Sequence, residues 1–243
     1  MAIVLFTDFG SGDLYVGQVK AAIARHAPGA EIVDLLHDVP SFGVRAGAHL
    51  LDALKSYFAA GTVFLAVVDP GVGSARDALV LEADGRQYVG PDNGLLSVVG
   101  ARSRERRWWR IVWRPGVISD SFQGRDLFAP VAALLAMGSL ASGQREEIAA
   151  PATDFGPGDL AEIIYLDHYG NASTGLRAAE APPDAALLVR GHRLSRARVF
   201  AEVPPGVGFW YANSQGLVEI AVNLGSAAQS LGLSLGDAAS WSA

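Results

Sequence analysis

The sequence predicts an α/β N-terminal domain with a mainly parallel central sheet, followed by a smaller β-rich C-terminal domain. Short apolar runs rich in β-branched residues alternate with helical patterns along the first part of the chain. Residues 63–68 form an unbroken apolar run of the kind that a parallel sheet buries on both faces. From about Ser142 the texture changes to Gly, Pro, Ser and acidic residues, and short strand patterns between Gly, Pro and Asn turns follow.

Taken in order, residues 2–6 form a strand that stops at the polar loop Thr7-Asp8-Phe9-Gly10-Ser11-Gly12-Asp13, and a helix follows over 14–26. A second strand covers 31–35, a helix covers 45–58, and the run at 63–68 is the third strand. Asp84-Gly85 is a turn dipeptide between strands at 78–82 and 87–89, which predicts a hairpin. A helix over 126–137 carries Pro130 in its first turn, where a missing N–H costs nothing. These elements fill a domain over 1–145, a linker spans 146–158, and the C-terminal domain covers 159–243. Its strands are expected at 160–166, 186–189, 198–199, 208–211 and 217–222, as a small barrel or sandwich.

Half of the 243 residues are hydrophobic and 18% are charged, so a sizeable core is available and disorder is excluded. The net charge of −6 has the wrong sign for a general nucleic-acid binder. Zero cysteines exclude disulfide scaffolds, thiol nucleophiles and thiolate metal sites. His26, His37, His49, His168 and His192 lack any ligand spacing, so no metal is expected. No P-loop or G-x-S-x-G motif is present, and neither Gly10-Ser11-Gly12 nor Gly71-Val72-Gly73 completes a dinucleotide fingerprint. The start of the chain lacks a basic region and a long apolar stretch, and no helical pattern approaches a membrane span, so a cytoplasmic protein without membrane association is expected. Residues 102–114 hold six arginines around Trp108, Trp109 and Trp113. Alternation of Trp109, Ile111 and Trp113 makes an exposed edge strand or subunit contact the plainer account than a nucleic-acid patch.

Three polar loops follow apolar strands: 7–13, then Asp69-Pro70-Gly71-Val72-Gly73-Ser74-Ala75-Arg76, then Pro91-Asp92-Asn93-Gly94. Asp, Asn and Gly also end strands and cap helices without any function. Three such loops in one α/β domain nonetheless point to a single crevice, because ligands settle at the carboxyl ends of the strands.

These loops, with Ser121-Phe122-Gln123-Gly124-Arg125-Asp126-Leu127-Phe128-Ala129-Pro130, resemble the S-adenosyl-L-methionine (SAM) hydroxide adenosyltransferases. That family, also called SAM hydrolases (adenosine-forming), is related to fluorinase and chlorinase. The resemblance extends through Tyr169-Gly170-Asn171, Asn213-Ser214 and Glu219-Ile220-Ala221, and so covers nearly the whole chain. It implies a C-terminal β-barrel and a homotrimer with sites between subunits. It also implies water or hydroxide attack at the ribose C5′ of SAM, giving adenosine and L-methionine, with no cofactor. By the same resemblance Asp69 and Arg76 are catalytic, with Gln123 as the third member of the set. Asp8, Asp13, Phe42 and Asn93 would line the nucleoside in the first domain. Asp167, Tyr169, Asn171, Ser214 and Glu219 would contribute from the second. The family carries His where this chain has Gln123, and an amide cannot take a proton near neutrality. A catalytically weakened SAM or adenosine binding protein is the alternative. Gly175 replaces an expected Asn, and Gln215 follows Ser214 where the halogenases have Arg. Asp69 itself opposes halide chemistry, since a carboxylate repels halide.

Overall fold

The computed structural model describes residues 1–116 and 118–242. The chain divides into two compact units, Met1–Pro157 and Gly158–Ala243. In the first, strands β1 (Ala2–Thr7), β2 (Glu31–Leu36), β3 (Val63–Val67), β4 (Ala78–Ala83), β5 (Arg86–Pro91), β6 (Arg106–Ile111) and β7 (Arg145–Ile148) form one sheet. Its order is β2-β1-β3-β5-β4-β6-β7. Helices α1 (Leu14–His26), α2 (Val44–Leu54), α3 (Ser97–Arg102) and α4 (Ala129–Ala136) complete the unit.

The sheet is mixed rather than mainly parallel. β1, β2, β3 and β5 run parallel, whereas β4, β6 and β7 pair antiparallel with their neighbours. The hairpin at Asp84-Gly85 turns the chain back, and burial of both faces keeps Ala78, Leu79, Val80 and Leu81 of β4 apolar without a break, as in a parallel strand. Helices α1 and α4 cover one face. Val19 and Ile23 of α1 and Val131 and Leu135 of α4 share a core with Ile3, Leu5, Val63, Leu65 and Val67. Each such side chain stabilises the fold by about 1.5–3 kcal/mol when fully buried.

β6 is not an edge strand. It is flanked by β4 and β7, and the Arg145 guanidinium lies 4.2 Å from the centroid of the Trp109 ring while its Nη1 pairs with Glu82 at 2.8 Å. Residues 146–148, read above as the start of a linker, lie in β7, whose Arg-Glu-Glu-Ile sequence makes a charged outer edge of the kind that resists strand addition.

Asp13 starts α1 by accepting the Leu14 N–H at 2.6 Å. Before α4 the backbone makes a π turn over Gly124–Phe128, closed by the Ala129 N–H on the Gly124 carbonyl. Pro130 gives no N–H and its ring crowds the carbonyl four residues back, so the wider turn relieves a helix that cannot start regularly there.

The second unit holds two antiparallel sheets. β8 (Leu160–Leu166), β9 (Ala172–Arg177), β12 (Gly208–Ala212) and β13 (Leu217–Val222) order as β12-β13-β9-β8. β10 (Ala186–Val189), β11 (His192–Leu194) and β14 (Ala239–Ser242) order as β11-β10-β14, and a short helix α5 covers Ala227–Ser230. Both sheets supply one core around Trp210, whose ring meets Trp241 at 5.0 Å. Residues 198–199 form no strand. Among the described residues, no helix is long and apolar enough to cross a membrane.

Candidate active site

Because β1, β2, β3 and β5 are parallel, the loops that follow them leave one edge of the sheet together. The 7–13 and 92–94 loops both reach β3's end: Asp8 N–H meets the Val67 carbonyl at 3.4 Å, and Asn93 Nδ2 donates to the Val68 carbonyl at 2.8 Å. Close approach of β5 requires Gly90, where a Cβ would lie 2.4 Å from the Ala66 carbonyl oxygen.

Asp69, just past β3, and Arg76 form a two-pronged ion pair. Arg76 Nε donates to Asp69 Oδ1 at 2.7 Å and Nη2 donates to Oδ2. Nη2 also donates to Gln123 Oε1 at 2.9 Å. The Asp69 side chain is 2% exposed and that of Arg76 is 9% exposed. The Arg76 guanidinium lies 5.5 Å from the centroid of the Phe128 ring, in the π turn that begins just after Gln123. Three residues from two loops are thereby locked into one cluster beside a cavity of ≈ 250 Å³ lined by Ser74, Arg76, Asp77, Arg114, Gln123 and Leu127. Such a pair holds its geometry because its hydrogen bonds are charge-assisted and bidentate.

Asp8 adds a second carboxylate. Burial raises its pKa, the Phe42 N–H at 3.1 Å on Oδ2 works against that rise, and the negative charge of Asp69 adds to it. Phe42 is 74% exposed in a left-handed backbone conformation, φ 64°, held by that bond to Asp8. Asn93 spends both ends of its amide on backbone, with Oδ1 accepting the Leu95 N–H at 3.2 Å, and so acts as a brace. Asp13 is committed to starting α1. Asp92 accepts the Ala152 N–H at 3.0 Å, and burial raises its pKa.

In the second unit Asp167 builds a turn. Its Oδ1 accepts the N–H groups of Tyr169 and Asn171, and its Oδ2 accepts from Asn171 Nδ2 at 2.9 Å. That turn presents Tyr169, 76% exposed, to a cavity of ≈ 670 Å³ shared with Asp167, Asn171, Phe200, Tyr211 and Leu224. Glu219 lies behind it, 7% exposed, accepting from Ser173 Oγ at 2.5 Å, Asn213 Nδ2 at 2.9 Å and the Tyr211 hydroxyl. The carboxylate therefore orients the Tyr211 ring. Burial and the bond to Glu219 both raise the Tyr211 pKa. Ser214 sits exposed in the 213–216 turn that Asn213 organises through the Gln215 and Leu217 N–H groups. Tyr211 and Phe200, whose rings meet at 5.4 Å, were missed by sequence reasoning. The spacing of Phe209 and Tyr211 on one face of β12 was the available signal.

A profile of the SAM hydroxide adenosyltransferase N-terminal domain matches residues 3–144, and one of the C-terminal domain matches 161–240. The chain belongs to the SAM hydroxide adenosyltransferase family. Within the family it is 40% identical to a Thermus thermophilus protein named (R)-S-adenosyl-L-methionine hydrolase, over 96% of each chain. A protein of the same name from Salinispora arenicola is also 40% identical, over 95% of this chain and 94% of the other. A crystal structure of an uncharacterized conserved protein from Thermotoga maritima superposes with a TM-score of 0.89 at 33% identity, covering 99% of this chain and all of that one.

Proposed function

We propose that this adenosyltransferase hydrolyses SAM by attack of water at the ribose C5′, and that its preferred substrate is the (R)-sulfonium epimer named for its relatives. The C5′–O bond forms as the C5′–S bond breaks, the bonding pair returns to sulfur, and adenosine and L-methionine leave. One proton is released, and Asp69 takes it from the attacking oxygen. The observation that carries this reading is the buried cluster of Asp69, Arg76 and Gln123 at the end of β3. A fixed carboxylate and a fixed amide hold one water in line, which is where effective molarity supplies rate. With Asp8, Asp69 and Arg76 counted together the cluster carries one net negative charge, which suits a cationic substrate. The leaving group is already cationic and needs neither acid nor Lewis acid, so no cofactor or metal enters the proposed reaction.

Asp8 would accept the ribose hydroxyls, with Asp13, Phe42 and Asn93 shaping that end. Tyr169 and Asn171 would take the adenine, and Asp167, Ser214 and Glu219 would organise the rest of the second unit's share. A homotrimer with inter-subunit sites, a barrel-like closure of the two C-terminal sheets and a cytoplasmic location complete the proposal. Gln123 favours a second reading, a weakened enzyme that mainly binds SAM or adenosine, because an amide supplies no general base. Incubation with each separated SAM epimer, followed by chromatography, tests both. Adenosine and methionine in equal amounts, faster from the (R) epimer, are expected. No adenosine from prolonged incubation with excess substrate refutes hydrolysis, and tight calorimetric binding in that case selects the second reading.

A further inference from the structure

A line of four polar side chains runs inward from the surface of the first unit to the loop that carries Asp8. Lys20 Nζ of α1 meets Asp34 Oδ2 at 2.5 Å, Asp34 Oδ1 meets His37 Nε2 at 3.0 Å, and His37 Nδ1 meets Thr7 Oγ1 at 2.8 Å. Thr7 is 1% exposed and His37 6%, whereas Lys20 and Asp34 reach solvent. Residues three apart on a regular strand face opposite ways. Here the β1/β2 register shifts between Leu5 and Phe6, so that Leu5 pairs with Asp34 and Phe6 with Leu36. That irregularity brings Asp34 and His37 to one side, as a bulge re-aims a side chain.

With a neutral imidazole, the donor sequence along this line has one solution. Burial alone would raise the Asp34 carboxyl, but bonds from Lys20 and His37 outweigh it and the net shift is downward. Asp34 is thus an ionised acceptor, Nε2 carries the ring proton, Nδ1 accepts, and the Thr7 hydroxyl donates. The Thr7 oxygen is left to receive the Phe9 N–H at 3.4 Å. Around this line, Gly10 N–H donates to the His37 carbonyl at 2.7 Å, Val39 N–H to the Thr7 carbonyl at 3.2 Å, and Ser11 Oγ to Asp38 at 2.5 Å. Gly10 can follow because its φ of 80° suits a residue without Cβ. The order Thr, His, Asp matches a hydrolytic triad, but a hydroxyl 1% exposed has no room for a substrate.

We propose that His37 is a positioning residue: held in one tautomer by Asp34 and Lys20, it locks Thr7 and so sets the 7–11 loop, and Asp8 with it, in the shape that receives the nucleoside. This rests on the reading of Asp8 as the ribose acceptor. The test is ring-nitrogen NMR of 15N-histidine protein, assigned with His37→Asn, together with calorimetry on adenosine and steady-state kinetics. In the wild type, His37 is expected protonated at Nε2 only. Asp34→Asn offers an amide donor and should invert the tautomer, weakening adenosine binding and raising KM by about tenfold with kcat within about threefold, the split that marks lost ground-state binding. His37→Asn, whose Oδ1 stands in for Nδ1, should keep adenosine affinity within about threefold of wild type, whereas His37→Gln, which mimics the Nε2 end, should lose about tenfold as Asp34→Asn does. Protonation at Nδ1 in the wild type overturns the proposal without need of a variant. So does unchanged adenosine affinity in a folded Asp34→Asn protein whose parent binds adenosine. A wild type that binds no adenosine instead brings down the nucleoside reading of Asp8, while the ring-nitrogen spectrum still judges the relay.

Discussion

Asp69→Asn separates what the ion pair does for the fold from what it does for the reaction. The amide is nearly isosteric, and its oxygen keeps the 2.7 Å bond from Arg76 Nε. Its NH₂ group, however, faces Arg76 Nη2, donor against donor, and the guanidinium cannot shed its charge. With Asp69 2% and Arg76 9% exposed, water cannot compensate. Breaking a buried pair by removing one partner costs about 3–5 kcal/mol. The Gln123 bond and the Phe128 ring still engage the guanidinium, which puts the expected loss near the lower limit, about 3 kcal/mol. A domain with about 5–15 kcal/mol of stability stays folded after that. Turnover should fall by at least about 10²-fold with little change in KM, since the lost group acts on the nucleophile. Urea unfolding and adenosine release measured side by side give both quantities. Asp69→Leu with Arg76→Met should recover most of the stability, because no charge is left unpaired, and none of the activity. A single variant within about 1 kcal/mol of wild type would show that the pair is not desolvated, and undiminished kcat would remove Asp69 from the reacting atoms.

Gln123→His should raise kcat by about 10²-fold and add an acid limb to its pH profile, because the neighbouring guanidinium keeps the imidazole neutral and basic at pH 7; an unchanged profile means that residue 123 does not touch the water. Asp8 has a folded-state pKa above its ordinary 3.8, through burial first and the Asp69 charge after it, so its ionisation costs stability as pH climbs from the unfolded value through the folded one. Asp8→Asn should therefore raise the melting temperature at pH 7 but not at pH 3, and raise KM as the ribose acceptor is lost; equal melting shifts at both pH values would contradict this. Glu219→Gln places an amide among three donors, so it should destabilise by about 1–3 kcal/mol and let Tyr211 ionise at lower pH, as followed by ultraviolet titration.

Local rules made much of the first unit legible. Asp13 and the apolar spacing of Val16, Val19 and Ile23 announce α1 from Leu14 to His26, and Asp84-Gly85 announces the β4–β5 hairpin. The hairpin sets β4 against β5, but its partner on the other side was not legible, since β4 is covered on both faces and its Ala-Leu-Val-Leu carries no sign that β6 lies there. β7 and β9 escaped for the opposite reason. Arg-Glu-Glu-Ile and Ala-Ser-Thr-Gly-Leu-Arg gain their place from partners far along the chain, not from their own propensity. Convergence of three loops on one edge follows from parallel strands and was readable in advance. The line from Lys20 to Thr7 was not, because a register irregularity moves His37 out of the phase that a period of two assigns to it.

The π turn at Gly124–Phe128 has a consequence for how this segment tolerates change. Deleting one residue there would restore ordinary helical pitch and leave Phe128, Val131 and Leu135 their apolar neighbourhood, so the protein should still assemble. Each residue, however, contributes about 100° of rotation around the helical axis. The shortened chain would swing the Gln123 amide away from Arg76 and leave a scaffold that is intact and a water-holding cluster that has come apart.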